Sequence, residues 1–486
     1  MKLLLVGHDD RYAIEQLQLA LFPDETMEPA GEAFSGDGAV SALHAGTLWL
    51  TATARITLHG VTARASRRMK LEEADVPSRR RLLQNAYYAA ATRLRTPPEW
   101  GSLSGVRPTK LTTRHLLAGG TEQSADRLMK ETYHVAPARR RLCVESSLAS
   151  LRAAERLRPG DVSLYIGIPF CPTRCAYCSF VSQAVEKSFG LMEPYLAVLL
   201  GEITQAAQMV KELGLNVKSF YMGGGTPTTL SADQMDRLLT HLNRSFDLSG
   251  CAEYCIEAGR PDTIDREKLR VLLDHGCDRI SVNPQSLEDG VLQAIGRRHT
   301  AADIEKTMAL AMSMGFSHVN MDLIAGLPAD TPEGFRRTLD KCLSFGADNI
   351  TVHTLALKKG SRILLEGQPI PSAEAVGEML DYSISALRSA DFHPYYLYRQ
   401  KYMSGSFENI GWCISGAEGL YNIYIMEELH SILSLGAGGS TKMVDPAAGR
   451  IERVFHAKYP NEYITRPEKI QKNLQEFSAF YRSMKK

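Results

Sequence analysis

From about residue 160 to 360 the chain repeats one unit: a short β-rich run, a polar loop, then an amphipathic helix. The strand runs are SLYIGIPF, KSFYMGG, EYCIEAG, DRISVNP, HVNMDLIAG and NITVHTLAL. Between them fall helix patterns such as MEPYLAVLLGEITQAAQMVKEL, SADQMDRLLTHLNRSF, IDREKLRVLLDHG and AADIEKTMALAMSMG. Thr331 followed by Pro332 supplies a cap residue and a first-turn proline for a further helix, TPEGFRRTLDKCLSFG. Strands alternating with helices of this length predict a parallel sheet with right-handed crossovers. Six units predict an α/β fold built on a partial, open (β/α)6 barrel rather than the full eight-fold one. Chemistry in such folds gathers at the C-terminal ends of the strands.

The flanks read differently, and 486 residues are enough for two or three domains. Residues 1–158, with KLLLVG and TLWLTATARITLHGVTA as strands, predict a small N-terminal α+β module; the barrel takes 159–372. WGSLSGVRPTKL, at its Trp100, is turn-rich, and no mechanism attaches to it from spacing. Residues 373–486 predict a helix-rich C-terminal region containing FHPYYLYRQKYM and the Gly-rich LSLGAGGSTK. Fifty-six basic against 55 acidic residues nearly cancel, so nothing calls for nucleic acid or an anionic membrane. The arginine-rich stretches have acidic neighbours and read as solvated helix faces. No apolar run approaches the ~18 residues of a membrane span, and the apolar start MKLLLVG is too short for a signal peptide. Nine cysteines, an odd number, do not form a secreted disulfide framework. The expected location is the cytoplasm, where thiols stay reduced.

Three of those cysteines, Cys171, Cys175 and Cys178, form a C-x3-C-x2-C array directly after the first strand. A structural zinc site is closed by four ligands, and only three are local here. Cys251 and Cys255 alternate within a strand run, and Cys143, Cys277, Cys342 and Cys413 are isolated; core packing is the reading for all six. A [4Fe–4S] cube held by three thiolates accounts for the count, leaving one iron open to a substrate or cofactor. Pro172 keeps the loop irregular, and Tyr177 and Phe180 would shield the cluster. A second feature, YMGGGTPTTL, closes the second strand with Gly223, Gly224 and Gly225, where backbone can approach a ligand.

Together these motifs resemble the radical S-adenosylmethionine (SAM) superfamily. YIGIPFCPTRCAYCSF, GGGTPTTL, IEAGRPDTI, ISVNPQSLEDGVLQAIGRRHT and VNMDLIAGLPADTPEGF are similar to its oxygen-independent coproporphyrinogen III oxidase group, over roughly residues 160–360. The N-terminal module and the region around NIGWCISGAEGLYNIYIMEELHSILSLGAGGSTK are most similar to the Firmicutes coproporphyrinogen dehydrogenase-like branch. The resemblance implies Cys171, Cys175 and Cys178 as cluster ligands, with Tyr165, and Tyr177 in the loop, beside cluster and SAM. Gly224, Gly225 and Thr226 would hold the methionine part of SAM, and Glu257 its amino group or ribose. Gln285, Arg297 and Asp322 would orient its ribose and carboxylate.

The implied activity is one-electron cleavage of SAM to a 5′-deoxyadenosyl radical, then hydrogen abstraction from a propionate β-carbon of coproporphyrinogen III. Carbon dioxide and one electron then leave, giving the vinyl groups of protoporphyrinogen IX. The C-terminal region would cover the substrate, Arg399, Lys401 and Tyr396 are candidates to face its propionates, and a flavodoxin or ferredoxin would supply electrons. Two positions depart from the oxidase pattern: Phe180 replaces a cysteine and Gly167 replaces a histidine. Phenylalanine there is what haem-chaperone relatives show. The resemblance therefore also admits a haem-transfer protein, with His299, His393 or His430 as axial ligands, or an enzyme acting on another tetrapyrrole or an unrelated substrate.

Overall fold

The structure is a computed structural model that describes residues 1–178, 183–358, 360–400 and 404–484. Two compact units emerge, one built on Met1–Val144 with residues near Arg399 and Phe407, the other on Glu145–Tyr398 and the chain from Glu408 onward.

In the first unit, strands β1 (Lys2–Val6), β2 (Glu28–Pro29), β3 (Gly38–Ala45), β4 (Trp49–Leu58) and β5 (Val61–Lys70) form a sheet in the order β2-β1-β3-β4-β5. Along β4, Leu50, Ala52, Ala54, Ile56 and Leu58 are buried at every second position, the period of a strand with one covered face. The helices Arg11–Leu21 and Val76–Ala91 supply the cover, packing Ile14, Leu17, Leu83 and Tyr87 against that face. Asp75 starts the second helix by accepting the Ser78 N–H, and Pro77 occupies its first turn.

The second unit contains β6 (Asp161–Ile168), β7 (Phe170–Cys171), β8 (Gln183–Ala184), β9 (Asn216–Gly224), β10 (Tyr254–Gly259), β11 (Arg279–Val282), β12 (His318–Ala325) and β13 (Asn349–Thr354). The C-terminal region adds β14 (His393–Arg399), β15 (Glu408–Cys413), β16 (Ile432–Leu435), β17 (Ser440–Asp445) and β18 (Arg450–Phe455). Strands β6, β9, β10, β11, β12 and β13 lie side by side, each parallel to its neighbour, as the alternating pattern requires. β15 extends one edge antiparallel to β13, and β16 extends the other parallel to β6. β14 and β18 are the two ends of the sheet, so it remains open. The C-terminal region thus contributes strands as well as the helices Ala373–Ser389, Leu420–Glu427 and Pro467–Met484. Thr331 caps its helix as read from sequence, accepting the Gly334 N–H at 3.0 Å.

The register separates the two faces of the six parallel strands. On one face Leu164, Ile166, Phe220, Met222, Ile256, Ile280, Met321, Leu323, Ile350 and Val352 are almost fully buried. Each such side chain contributes about 1.5–3 kcal/mol through burial. Paired across the other face are Tyr165 with Tyr221, Glu257 with Ser281, Ser281 with Asn320, and Asp322 with Thr351. A parallel sheet covered on both sides by apolar packing has apolar strands throughout. Here one face is polar, and the partial exposure of Tyr165, Tyr221, Glu257, Asp322 and His353 on it marks a solvent-reached chamber.

The N-terminal ends of these strands are closed by the segment around Ala417–Tyr421. Glu253 accepts the Leu420 and Tyr421 N–H groups at 2.7 and 2.9 Å, while Arg279 and Asn349 each donate to the Ala417 carbonyl at 2.9 Å.

Candidate active site

Toward the middle and C-terminal ends of these strands, the polar face keeps Tyr165, Tyr221, Glu257, Asn320, Asp322 and His353 partly exposed. All of them except Asn320 stand in the C-terminal halves of their strands, around the chamber. Tyr221 and Tyr421 stack with ring centroids 4.5 Å apart, and Tyr165 lies 6.2 Å from each. Tyr421 reaches this group from the C-terminal helix Leu420–Glu427. Tyr221 donates its hydroxyl to Glu257 at 2.5 Å. Burial pushes the Glu257 carboxyl up to about 7; the Tyr221 hydroxyl holds it down and Asp322 pushes it further up. Burial, with Glu257 nearby, also raises the Tyr165 hydroxyl, so that group stays protonated. Asn320 donates to Asp322 at 2.8 Å, and Thr351 donates to Asn320 at 3.2 Å. The His353 ring lies 4.0 Å from Asp322.

The three-cysteine loop sits above this ring, held by the connections that follow neighbouring strands. Ala176 N–H donates to the Ile295 carbonyl at 2.9 Å, and Ala176 O accepts from Ile363 at 3.3 Å. The Arg260 guanidinium grips Thr173 at its carbonyl and hydroxyl, 3.1 and 2.7 Å away. Arg297 donates to the Tyr177 hydroxyl at 2.9 Å, which places a cation beside Cys175. Cys171 and Cys175 are buried and Cys178 is partly exposed; none of the three is in a disulfide.

The glycine turn fits against the root of that loop. Gly225 N–H donates to the Ile168 carbonyl and Thr226 N–H to the Phe170 carbonyl, both at 2.8 Å. Gly224 has φ +108°, a conformation that requires glycine. The Thr226 hydroxyl lies 3.5 Å from Cys171 Sγ. Gln285 has φ +68°, rare for a residue with a side chain. Among the described residues its buried Oε1 has no hydrogen-bond partner, and neither has the buried Oδ1 of Asn283. Strained backbone together with buried polar atoms at one strand end marks a candidate ligand site. The residues fit a cluster with SAM: three thiols in one irregular loop, a glycine cradle beside it, and open polar atoms around it.

Of the sequence-predicted cofactor residues, Tyr165, Glu257 and Asp322 stand in the C-terminal halves of their strands and Gly224, Gly225 and Thr226 at the end of β9. Tyr177 lies in the cysteine loop, Gln285 follows β11, and Arg297 lies beyond the helix Asp289–Ala294 and reaches back to Tyr177. The propionate and haem candidates fare otherwise. Arg399 is buried within the first unit, where its guanidinium donates to the Leu103 carbonyl at 2.6 Å and the Ser406 carbonyl at 2.8 Å, so its donors are spent on backbone. Tyr396 is buried against Tyr395, ring centroids 4.9 Å apart. The His299 side chain, 1% exposed, packs beside Asp262, and His430 bonds Ser163 at 2.7 Å, near the start of β6. His393 lies beside Glu418 and Cys413. Lys401 and Phe180 fall outside the described residues.

Gly167 has a physical reason. A Cβ there would stand 2.7 Å from the Ala437 carbonyl oxygen, so the 436–439 loop leaves no room for the histidine of the oxidase pattern. Sequence reasoning missed Tyr221, Asn283, His353 and Tyr421. The first three follow strand parity with residues already singled out. Tyr421 carried no local signal, because a distant helix delivers it.

The Radical SAM superfamily matches residues 165–342. The oxygen-independent coproporphyrinogen-III oxidase-like protein HemZ of Bacillus subtilis is 38% identical over 376 residues, 76% of this chain and 75% of that protein. The heme chaperone HemW of the same species is 28% identical, covering 64% of this chain and 82% of its own. Among solved structures, the Escherichia coli coproporphyrinogen III oxidase HemN superposes with a TM-score of 0.52 at 23% identity, covering 65% of this chain and 71% of that one, a likeness of fold. Three thiols over a polar chamber, in a chain this close to HemZ, lead to one conclusion: it belongs to the oxygen-independent coproporphyrinogen III oxidase-like group of the radical SAM superfamily, whose cofactors are a [4Fe–4S] cluster and SAM.

Proposed function

We propose that this protein is a cytoplasmic radical SAM enzyme of haem biosynthesis that oxidatively decarboxylates coproporphyrinogen III propionates to vinyl groups, fed by a flavodoxin- or ferredoxin-type reductant. The observation that carries this reading is the polar ring of Tyr165, Tyr221, Glu257, Asp322 and His353 beneath the cysteine loop. Cys171, Cys175 and Cys178 would hold the cluster. Gly224, Gly225 and Thr226 would present backbone to the methionine part of SAM, and Gln285, Arg297 and Asp322 would take its ribose and carboxylate. When bound, the two cofactors supply a carbon radical that takes a hydrogen atom from substrate.

The chain's own contribution is positioning. Glu257, with a carboxyl near about 7 and one oxygen held by Tyr221, is charged at mildly alkaline pH and accepts hydrogen bonds from an ammonium or a ribose there. The stacked Tyr421, Tyr221 and Tyr165 seal the chamber floor and keep water from a radical.

The test is anaerobic reconstitution with iron and sulfide, then incubation with coproporphyrinogen III, SAM and a reductant. The expected outcome is protoporphyrinogen IX together with 5′-deoxyadenosine, made faster when substrate is present. Cys175→Ala is expected to lose both cluster iron and SAM cleavage; full retention of either sinks the reading. Stoichiometric haem binding without vinyl product would make this chain a haem-transfer protein instead.

A further inference from the structure

His393 begins β14 and Cys413 ends β15, and these strands are neighbours in the sheet. Glu418 follows five residues later, just ahead of the helix Leu420–Glu427. The three side chains converge: His393 Nε2 lies 3.6 Å from Cys413 Sγ and 3.4 Å from a Glu418 carboxylate oxygen, and all three ligand atoms fall within 4.8 Å of one another. A single ring nitrogen therefore faces a sulfur and a carboxylate at once, each at the long end of hydrogen-bond range. It can donate a proton to only one of them.

A shared tetrahedral cation satisfies both. Zinc–sulfur and zinc–nitrogen bonds of about 2.3 and about 2.05 Å at a tetrahedral angle separate the two ligands by about 3.6 Å, and nitrogen and oxygen ligands by about 3.4 Å. Both separations are already present; the sulfur and carboxylate oxygen, within 4.8 Å of one another, would close to about 3.6 Å on the cation. We propose that His393, Cys413 and Glu418 form a second metal site, separate from the cluster loop, that takes a zinc-type divalent cation with a solvent ligand in the fourth position. His393 is partly exposed and offers the entry path, while Cys413 is fully buried. Burial raises the Cys413 thiol, so metal binding releases one proton from it to solvent. Arg152, Arg279 and Asp348 also lie within electrostatic reach of the thiol. The site stands at the N-terminal ends of the strands, where Cys413 pairs with Asn349 and Ala417 is held by Arg279. Its role there is to pin the closing segment, since that end of a barrel serves stability.

The test uses the full-length chain with Cys171, Cys175 and Cys178 changed to alanine, so that the cluster loop takes no metal. Titration with cobalt(II) is expected to give a sulfur-to-cobalt charge-transfer band that saturates at one equivalent and is displaced by zinc. Cys413→Ala should abolish the band, and His393→Gln and Glu418→Gln should each weaken binding at least about tenfold. Absence of the band, or a band that survives Cys413→Ala in a chain folded by circular dichroism, overturns the site. If Cys413→Ala does not fold, unchanged affinity in both of the other variants does so.

Discussion

A methyl group at Gly225 would lie 2.5 Å from the Phe170 carbonyl oxygen and 2.8 Å from that of Ile168. Both are backbone atoms at the root of the cysteine loop, so neither can swing aside as a side chain would. Gly225→Ala is expected to destabilise the chain by about 1–3 kcal/mol, as overpacking does. Because the displaced atoms carry Cys171, cluster iron after reconstitution should fall well below that of the unaltered chain. Iron content and denaturant unfolding check the two effects separately. The glycine triplet was legible in the sequence, and so was the reason to expect close backbone approach. What the backbone approaches within the chain, the carbonyls of Ile168 at the end of β6 and Phe170 in β7, was not.

Elements show the same division. The six parallel strands were legible from alternation of β-rich and helical patterns, and so was the polar parity hidden within them. Ser163 and Tyr165, Ser219 and Tyr221, Cys255 and Glu257, Asn320 and Asp322 recur at the two-residue period that puts them on one face. The floor of the chamber was not legible. The helix Leu420–Glu427 looks in sequence like any apolar segment, yet Glu253, 167 residues earlier, seats its N-terminus with two short hydrogen bonds and pairs with Arg279 at 3.2 Å. Glu253→Ala strips the helix of its anion and leaves Arg279 buried without its carboxylate. The expected loss is about 3–5 kcal/mol. Glu253→Gln, which keeps an acceptor, should lose less. Equal stability of the alanine variant and the parent in urea would show that the plug is held by other means.

Across the whole molecule, Glu202 joins the barrel to its C-terminal additions. It sits in the helix Met192–Leu213, accepts the Gly436 N–H at 2.8 Å and the Tyr463 hydroxyl at 2.5 Å, and is fully buried. Burial pushes its carboxyl up to about 7, from an ordinary 4.5. The nearby His456 ring, 3.7 Å away, is pulled down by burial to about 4 and stays neutral through that interval. A carboxyl raised on folding binds its proton more tightly in the folded chain. Its contribution is therefore fully present below pH 4.5 and lost as pH rises through about 7. Glu202→Gln mimics the protonated form, so its stability relative to the parent should improve from pH 4.5 to pH 8 by roughly 3 kcal/mol. A pH-independent difference in unfolding free energy would show that Glu202 does not titrate in this window.

Local pattern alone determined the α/β class, the six parallel strands and the three-cysteine loop, because strand period, turn chemistry and ligand spacing are short-range properties of a chain. The cofactor residues around that loop came from the family resemblance. The tertiary structure decided what those patterns meet. It brought Tyr421 under Tyr221, spent the Arg399 donors on backbone carbonyls, closed Gly167 against Ala437, and gathered His393, Cys413 and Glu418 at the opposite end of the strands. Each of these joins residues from different elements, and burial together with strand register, neither of which is written at any one position, sets the distances between them.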